Sequence, residues 1–178
     1  MIRKILGICA LSAVLVAGDL KHISPIFNFG SAAMAADLTQ AVNAWLKPFD
    51  RKPTPSGTDY GKYEIKYAGS ENILIQGGGV QIWADGIRPK DGAVLDAKYI
   101  GKPDKSPYIA PSTGCPVFVT ASVDKQIGGE FQRYAAIIND PKTPVVKLEI
   151  ITNEQGAVPY FECMFKTYNV PGSVVVKP

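Results

Sequence analysis

A chain of 178 residues is long enough for one ordinary domain and short for two. Its composition, 46% hydrophobic and 20% charged, is that of a globular protein and excludes a disordered or low-complexity polymer. The net charge of +3 falls to +1 once residues 1–36 are set aside, with sixteen basic residues against fifteen acidic. This excludes a strongly basic nucleic-acid binder, so affinity for phosphate must come from local placement or a bound metal.

The only histidine, His22, lies near the N-terminus. A Ser-His-Asp triad, histidine acid–base chemistry and histidine-containing metal sites are therefore not expected in the folded domain. A hydrolase built on this chain has to work with carboxylates, lysine and a hard metal ion.

Arg3 and Lys4 precede an unbroken apolar run from Ile5 to Ala17. That order is a signal-peptide n-region and h-region, too short for a comfortable transmembrane helix. The small residues Ser31 to Ala36 supply an A-x-A site with cleavage after Ala35, although Gly18 to Gly30 is a long spacer, which leaves earlier cleavage or a retained anchor open. The expectation is export to the periplasm or beyond, with no stable membrane partner outside this segment. Residues 1–35 form the signal peptide or anchor, 36–59 a helix and linker, and 60–178 the functional domain. Cys115 and Cys163 remain after the signal, which suits one disulfide in an oxidising compartment or two thiols that never meet; neither has zinc-ligand spacing.

From Ala36 to Lys47, Leu38, Val42, Trp45 and Leu46 recur at helical spacing before Pro48. Asp50 to Gly61 reads as a loop. Tyr63, Ile65 and Tyr67 alternate with charged residues, which predicts a half-buried strand. Ile73 to Ile75 is a second apolar piece, ending at the turn Gly77-Gly78-Gly79, which lacks the Lys-Ser/Thr of a phosphate loop. Val80 to Ile87 and Ala93 to Ile100 read as two strands of a hairpin joined by Arg88-Pro89-Lys90-Asp91-Gly92. A Pro-rich stretch, Gly101 to Pro116, leads to an amphipathic helix over Glu130 to Asn139. A strand over Val145 to Thr152, a helix over Ala157 to Tyr168 and a strand over Ser173 to Lys177 complete an α/β (α+β) layered domain.

The chemistry concentrates on the central hairpin. Side chains alternate along a strand, so Val94, Asp96 and Lys98 share one face. The preceding strand ends at Trp83-Ala84-Asp85-Gly86, and a hairpin brings Asp85 beside Asp96. Two carboxylates can hold Mg²⁺ or Mn²⁺ through oxygen, and one ammonium can orient water or offset developing charge. Taken alone, the same pattern also suits a solvated cross-strand charge pair and ordinary turn residues.

Asp85 followed by Asp96-Ala97-Lys98 resembles the PD-(D/E)xK signature of restriction-endonuclease-like nucleases, with Ala84 in place of the proline. Trp83-Ala84-Asp85-Gly86 with Leu95-Asp96-Ala97-Lys98 is similar, more particularly, to the restriction-endonuclease-fold toxin domains of bacterial polymorphic toxin systems. Phe131 to Ala136, Leu148 to Asn153 and Tyr160 through Val174 fit the same family, so the resemblance spans roughly residues 60–178. It implies a restriction-endonuclease-like core, a central mixed sheet flanked by helices. It further implies a metal-dependent endonuclease, DNA favoured over RNA, acting as a secreted antibacterial toxin with a cognate immunity protein. Asp85, Asp96 and Lys98 are then catalytic, Asp85 and Asp96 ligate the metal, and Glu64 is a candidate third ligand. Gln132 and Arg133 are candidate contacts to the substrate backbone, and Trp83 and Tyr99 flank the site as packing residues or, less readily, as base-stacking ones. A non-catalytic periplasmic binding protein and a degenerate nuclease fold are the competing readings.

Overall fold

The structure, a computed structural model, describes residues 28–109 and 117–178. The expected n-region and apolar run fall in residues 1–27, outside the described residues, as does Cys115. Cys163 is exposed.

The first helix, α1 (Asn28–Leu46), starts earlier than the helical spacing predicts and carries the expected processing site at 33–35 within it. Val42 and Leu46 are buried and Leu38 and Trp45 pack against the core, the four positions the periodicity singles out. No described helix is long and apolar enough to cross a membrane. A short strand, β1 (Arg51–Pro53), follows inside the expected loop.

The strand expected through Tyr63, Ile65 and Tyr67 is instead a helix, α2 (Asp59–Tyr67). Over so few residues, apolar side chains at i, i+2 and i+4 satisfy the strand period, while the i and i+4 pair also satisfies the helix. The N-terminal cap decides. Thr58 is extended and its Oγ1 accepts the Gly61 N–H at 3.2 Å, Asp59 sits in the first turn and Lys66 in the last. Tyr63 and Tyr67 then stack edge to face at 4.8 Å.

Next come β2 (Glu71–Gly77) and β3 (Val80–Ala84), an antiparallel hairpin turned at Gly78 and Gly79. The strand expected over Val80 to Ile87 is broken at Asp85 because the chain changes partners there. β3 pairs with β2, whereas β4 (Gly86–Arg88) pairs antiparallel with β5 (Ala93–Lys98). The turn between β4 and β5 closes on Gly92, whose φ of 61° is left-handed and needs a glycine. Helix α3 (Val117–Ile138) is longer than expected and crosses over to β6 (Lys147–Thr152); α4 (Val158–Thr167) crosses to β7 (Gly172–Val176).

Two sheets result among the described residues. One is antiparallel, β1-β2-β3. The other is mixed, β4-β5-β6-β7, with β5, β6 and β7 parallel. The mixed sheet is covered on both faces. Val94, Leu148 and Ile150 pack with Phe131, Tyr134 and Ile137 of α3 and Phe161 of α4. Ala93, Leu95 and Ile151 pack on the other face with Tyr63 of α2. This two-sided burial fixes the pleat of β5, and therefore which of its polar residues face α3.

Candidate functional site

β5 carries Asp96 and Lys98 on the α3 face, in register with Ile150 and Thr152 of β6. Both polar residues are well covered, Asp96 being only 3% exposed. The N–H and C=O of Ile100, just past β5, both bond to the Asn153 side chain, at 2.7 and 3.0 Å, which holds the exit of the strand in place.

Asp85 sits in the junction where the chain leaves the antiparallel sheet for the mixed one. The β4–β5 ladder ends at Gly86 opposite Leu95. Asp85 Oδ2 then accepts the N–H of Ala97 at 2.8 Å, so a side chain takes over where the backbone ladder stops. The chain can pass here only because residue 86 is glycine; a Cβ there would collide with the carbonyl of Ala68 at the end of α2. Asp85 therefore converges on Asp96 from the strand junction rather than from within β4.

Asp85, Asp96 and Lys98 line one cavity of about 510 Å³. Glu130, Arg133 and Tyr134 close it from α3, and Leu74, Gln81, Ile82 and Trp83 from the β2–β3 hairpin. Lys98 Nζ lies 2.9 Å from Asp96 Oδ1 and 3.1 Å from Glu130 Oε2. Gln126 donates to the other Glu130 oxygen at 3.2 Å. The ammonium is thus clamped between a strand and a helix.

Burial, and next the charge of Asp96, pushes the Asp85 carboxyl up to about 8, against the opposing pull of the Ala97 N–H and Lys98. Asp96 is likewise raised, first by burial and also by Glu130, with Lys98 working the other way. Burial pulls the Lys98 ammonium down, but Asp96, Glu130 and Asp85 outweigh it and the net shift is upward, so Lys98 stays charged. Tyr134 is buried and its phenol is held well above its ordinary value by burial and by the surrounding carboxylates, so it remains a proton donor.

Three carboxylates therefore face the cavity with Lys98 and Arg133 as the only cations in its lining. Hard oxygen donors gathered this closely, two of them with raised pKa values, suit a divalent cation that takes the place of the proton. Among the described residues no group of three His, Cys, Asp or Glu side chains has metal-binding geometry. The fit is with an ion such as Mg²⁺, which takes one or two carboxylates and completes its shell with water and substrate phosphate.

The remaining sequence candidates divide. Arg133 lines the cavity; Gln132, one residue away, is exposed and does not. Glu64 lies on α2, not on a strand, and is buried outside the cavity lining. Its Oε1 accepts from Thr54 Oγ1 at 3.2 Å and from Asn72 Nδ2. It still lies close enough to Asp85 to raise that carboxyl. Tyr99 packs on Tyr63 at 5.5 Å, away from the cavity. Sequence reasoning missed Glu130 and Tyr134. Their signal was present: Glu130, Arg133 and Tyr134 stand at i, i+3 and i+4, one face of the helix expected after the hairpin and the Pro-rich stretch.

No curated protein matches the chain. A family model described as restriction endonuclease fold toxin 2 matches residues 60–171, which takes in α2, the Asp85 junction, β5 and the face of α3 that carries Glu130. The chain belongs to the restriction endonuclease fold toxin 2 family.

Proposed function

We propose that this protein is an exported, divalent-metal-dependent endonuclease that acts as an antibacterial toxin, with DNA the favoured substrate. The observation that carries the reading is the pairing of half-buried Asp85 and buried Asp96 with Lys98 in one open cavity. Two carboxylates whose pKa values are both raised, chiefly by burial, in one cleft are poorly suited to a structural role and well suited to a hard cation.

Asp85 and Asp96 are the residues that would hold the metal. When bound, a divalent ion lowers the pKa of a coordinated water and offsets charge on the phosphate. The Ala97 N–H fixes one Asp85 oxygen, and the side chain lines the cavity. Lys98 orients the attacking water or stabilises charge developing on the phosphate oxygens, and Glu130 holds its ammonium on the cavity side. Arg133 supplies a second cation for the substrate backbone. No histidine is required. The absence of a strongly basic surface matters less here, because the ion would reverse the local charge at the point where the phosphate binds.

Export is supported by the charged start and the apolar run of residues 1–17. Membership of a toxin family supports a cognate immunity protein as partner. The test is cleavage by the purified protein of DNA and RNA in Mg²⁺ or Mn²⁺ against the same mixture in EDTA. Metal-dependent strand cleavage is expected; no cleavage of either nucleic acid with any divalent ion would remove the enzyme reading.

A further inference from the structure

Trp83 stands two residues before Asp85, with its backbone on the edge of the antiparallel sheet and its side chain in the wall of the same cavity. It is 36% exposed, a large apolar ring left open to solvent beside three carboxylates. Leu74 is its direct partner across the β2–β3 ladder and also lines the cavity. The Lys52 ammonium rests 4.2 Å from the centre of the ring. Tyr99, the other exposed aromatic beside the site in sequence, has no comparable setting, since it packs on Tyr63 away from the lining.

The charge balance gives that ring a task. Lys98 and Arg133 face three carboxylates in the cavity, so phosphate attraction from the protein alone is weak there. Before a metal is bound, affinity for a polynucleotide has to draw on more than charge, and an open indole offers base stacking, which any base can use. A base paired and stacked inside a duplex cannot lie on the ring; an unpaired or extruded one can. An exposed cation–π contact is weaker than stacking of a base, so the base displaces the Lys52 ammonium and leaves it beside the strand, in reach of a phosphate.

We propose that Trp83 is a stacking platform for an unpaired nucleobase next to the scissile phosphate, with Lys52 as its phosphate contact, so that single-stranded nucleic acid is the substrate class this cavity prefers. The proposal rests on the nucleic-acid reading of the site and narrows it.

Binding is measured apart from cleavage, by fluorescence anisotropy in the Asp96→Asn protein without metal. The probes are an end-labelled oligothymidylate, its duplex with oligoadenylate, and a strand of equal length that is abasic through its centre. Adding Trp83→Ala should weaken oligothymidylate binding by about 5- to 150-fold. Trp83→Phe should recover most of the loss, since it keeps a π-face. The abasic strand, with the same phosphates, should bind weakly and be indifferent to residue 83. Equal losses with the abasic strand, no loss on Trp83→Ala, or tighter binding of the duplex would overturn the proposal. Trp83-dependent binding in a protein whose wild type cuts nothing would uphold the platform and remove the nuclease. Metal-dependent cutting with binding indifferent to residue 83 would do the reverse.

Discussion

Glu130 on α3 faces Asp96 on β5 across the Lys98 ammonium, which lies 3.1 Å from the one carboxylate and 2.9 Å from the other. The helix and the strand are joined through a single charge. If Asp96 turns its oxygens to a metal, Glu130 is the contact that still aims Lys98 at the phosphate. Glu130→Ala should therefore lower kcat by ~10–100-fold, the usual effect of a small misplacement of a reacting group. KM should not rise, because the change removes a negative charge from a phosphate site. Glu130→Gln keeps an acceptor and should recover most of the rate. Steady-state kinetics on the two variants provide the check. A higher KM at constant kcat, or no difference between Ala and Gln, would rule out a positioning role.

The pH dependence of metal binding follows from Asp85. Its carboxyl is pushed up to about 8 by burial and by Asp96, whereas in an unfolded chain an Asp ionises near ~4. A folded-state value raised in this way gives stability that is complete below ~4 and is lost as pH climbs through about 8. The metal-free protein thus loses part of its stability toward alkaline pH. A divalent ion binds the ionised pair and restores it. The rise in Tm on adding Mg²⁺ should accordingly be larger near pH ~9 than near pH ~6. Equal shifts at both would mean that the ion does not bind at Asp85.

Gly86 is the hinge of the site in a steric sense. Gly86→Ala drives a Cβ into the Ala68 carbonyl, which is backbone and cannot swing aside. The expected cost is ~1–3 kcal/mol, or a fall in Tm of about 2–12 °C for a domain of this size. Activity should fall further than stability, since the strand junction that aims Asp85 has to shift. A variant with unchanged Tm and full activity would show that the close approach is not needed.

Much of the site was legible in the sequence because β5 is a strand whose period sorts its residues. Val94, Asp96 and Lys98 had to share a face once Ala93 and Leu95 packed on the other. The change of sheets at Asp85 was not legible, since a strand pattern through Val80 to Ile87 does not tell which strand each half will pair with. The α2 segment was misread because Tyr63, Ile65 and Tyr67 fit two periods at once, and the Thr58 cap carried the deciding information. Glu64 was consequently placed on a strand instead of in the buried Thr54–Asn72 contact. Glu130 was legible as part of a helix, but its pairing with Lys98 is a tertiary contact across 32 residues, which periodicity does not encode.

Labour in the proposed site divides between Asp85 and Asp96, which would hold the metal, and Lys98, which serves the chemistry. Two variants measured in two ways test it directly: Mg²⁺ binding by titration calorimetry, and single-turnover cleavage of a labelled nucleic acid. Asp96→Asn, nearly isosteric, should lose metal binding and cleavage together while keeping its fold by circular dichroism. Lys98→Ala should retain metal binding and cut ~10²–10³-fold more slowly, the usual effect of deleting one stabiliser of developing charge. Metal binding that survives in Asp96→Asn, or cleavage that survives in Lys98→Ala at the wild-type rate, would contradict it.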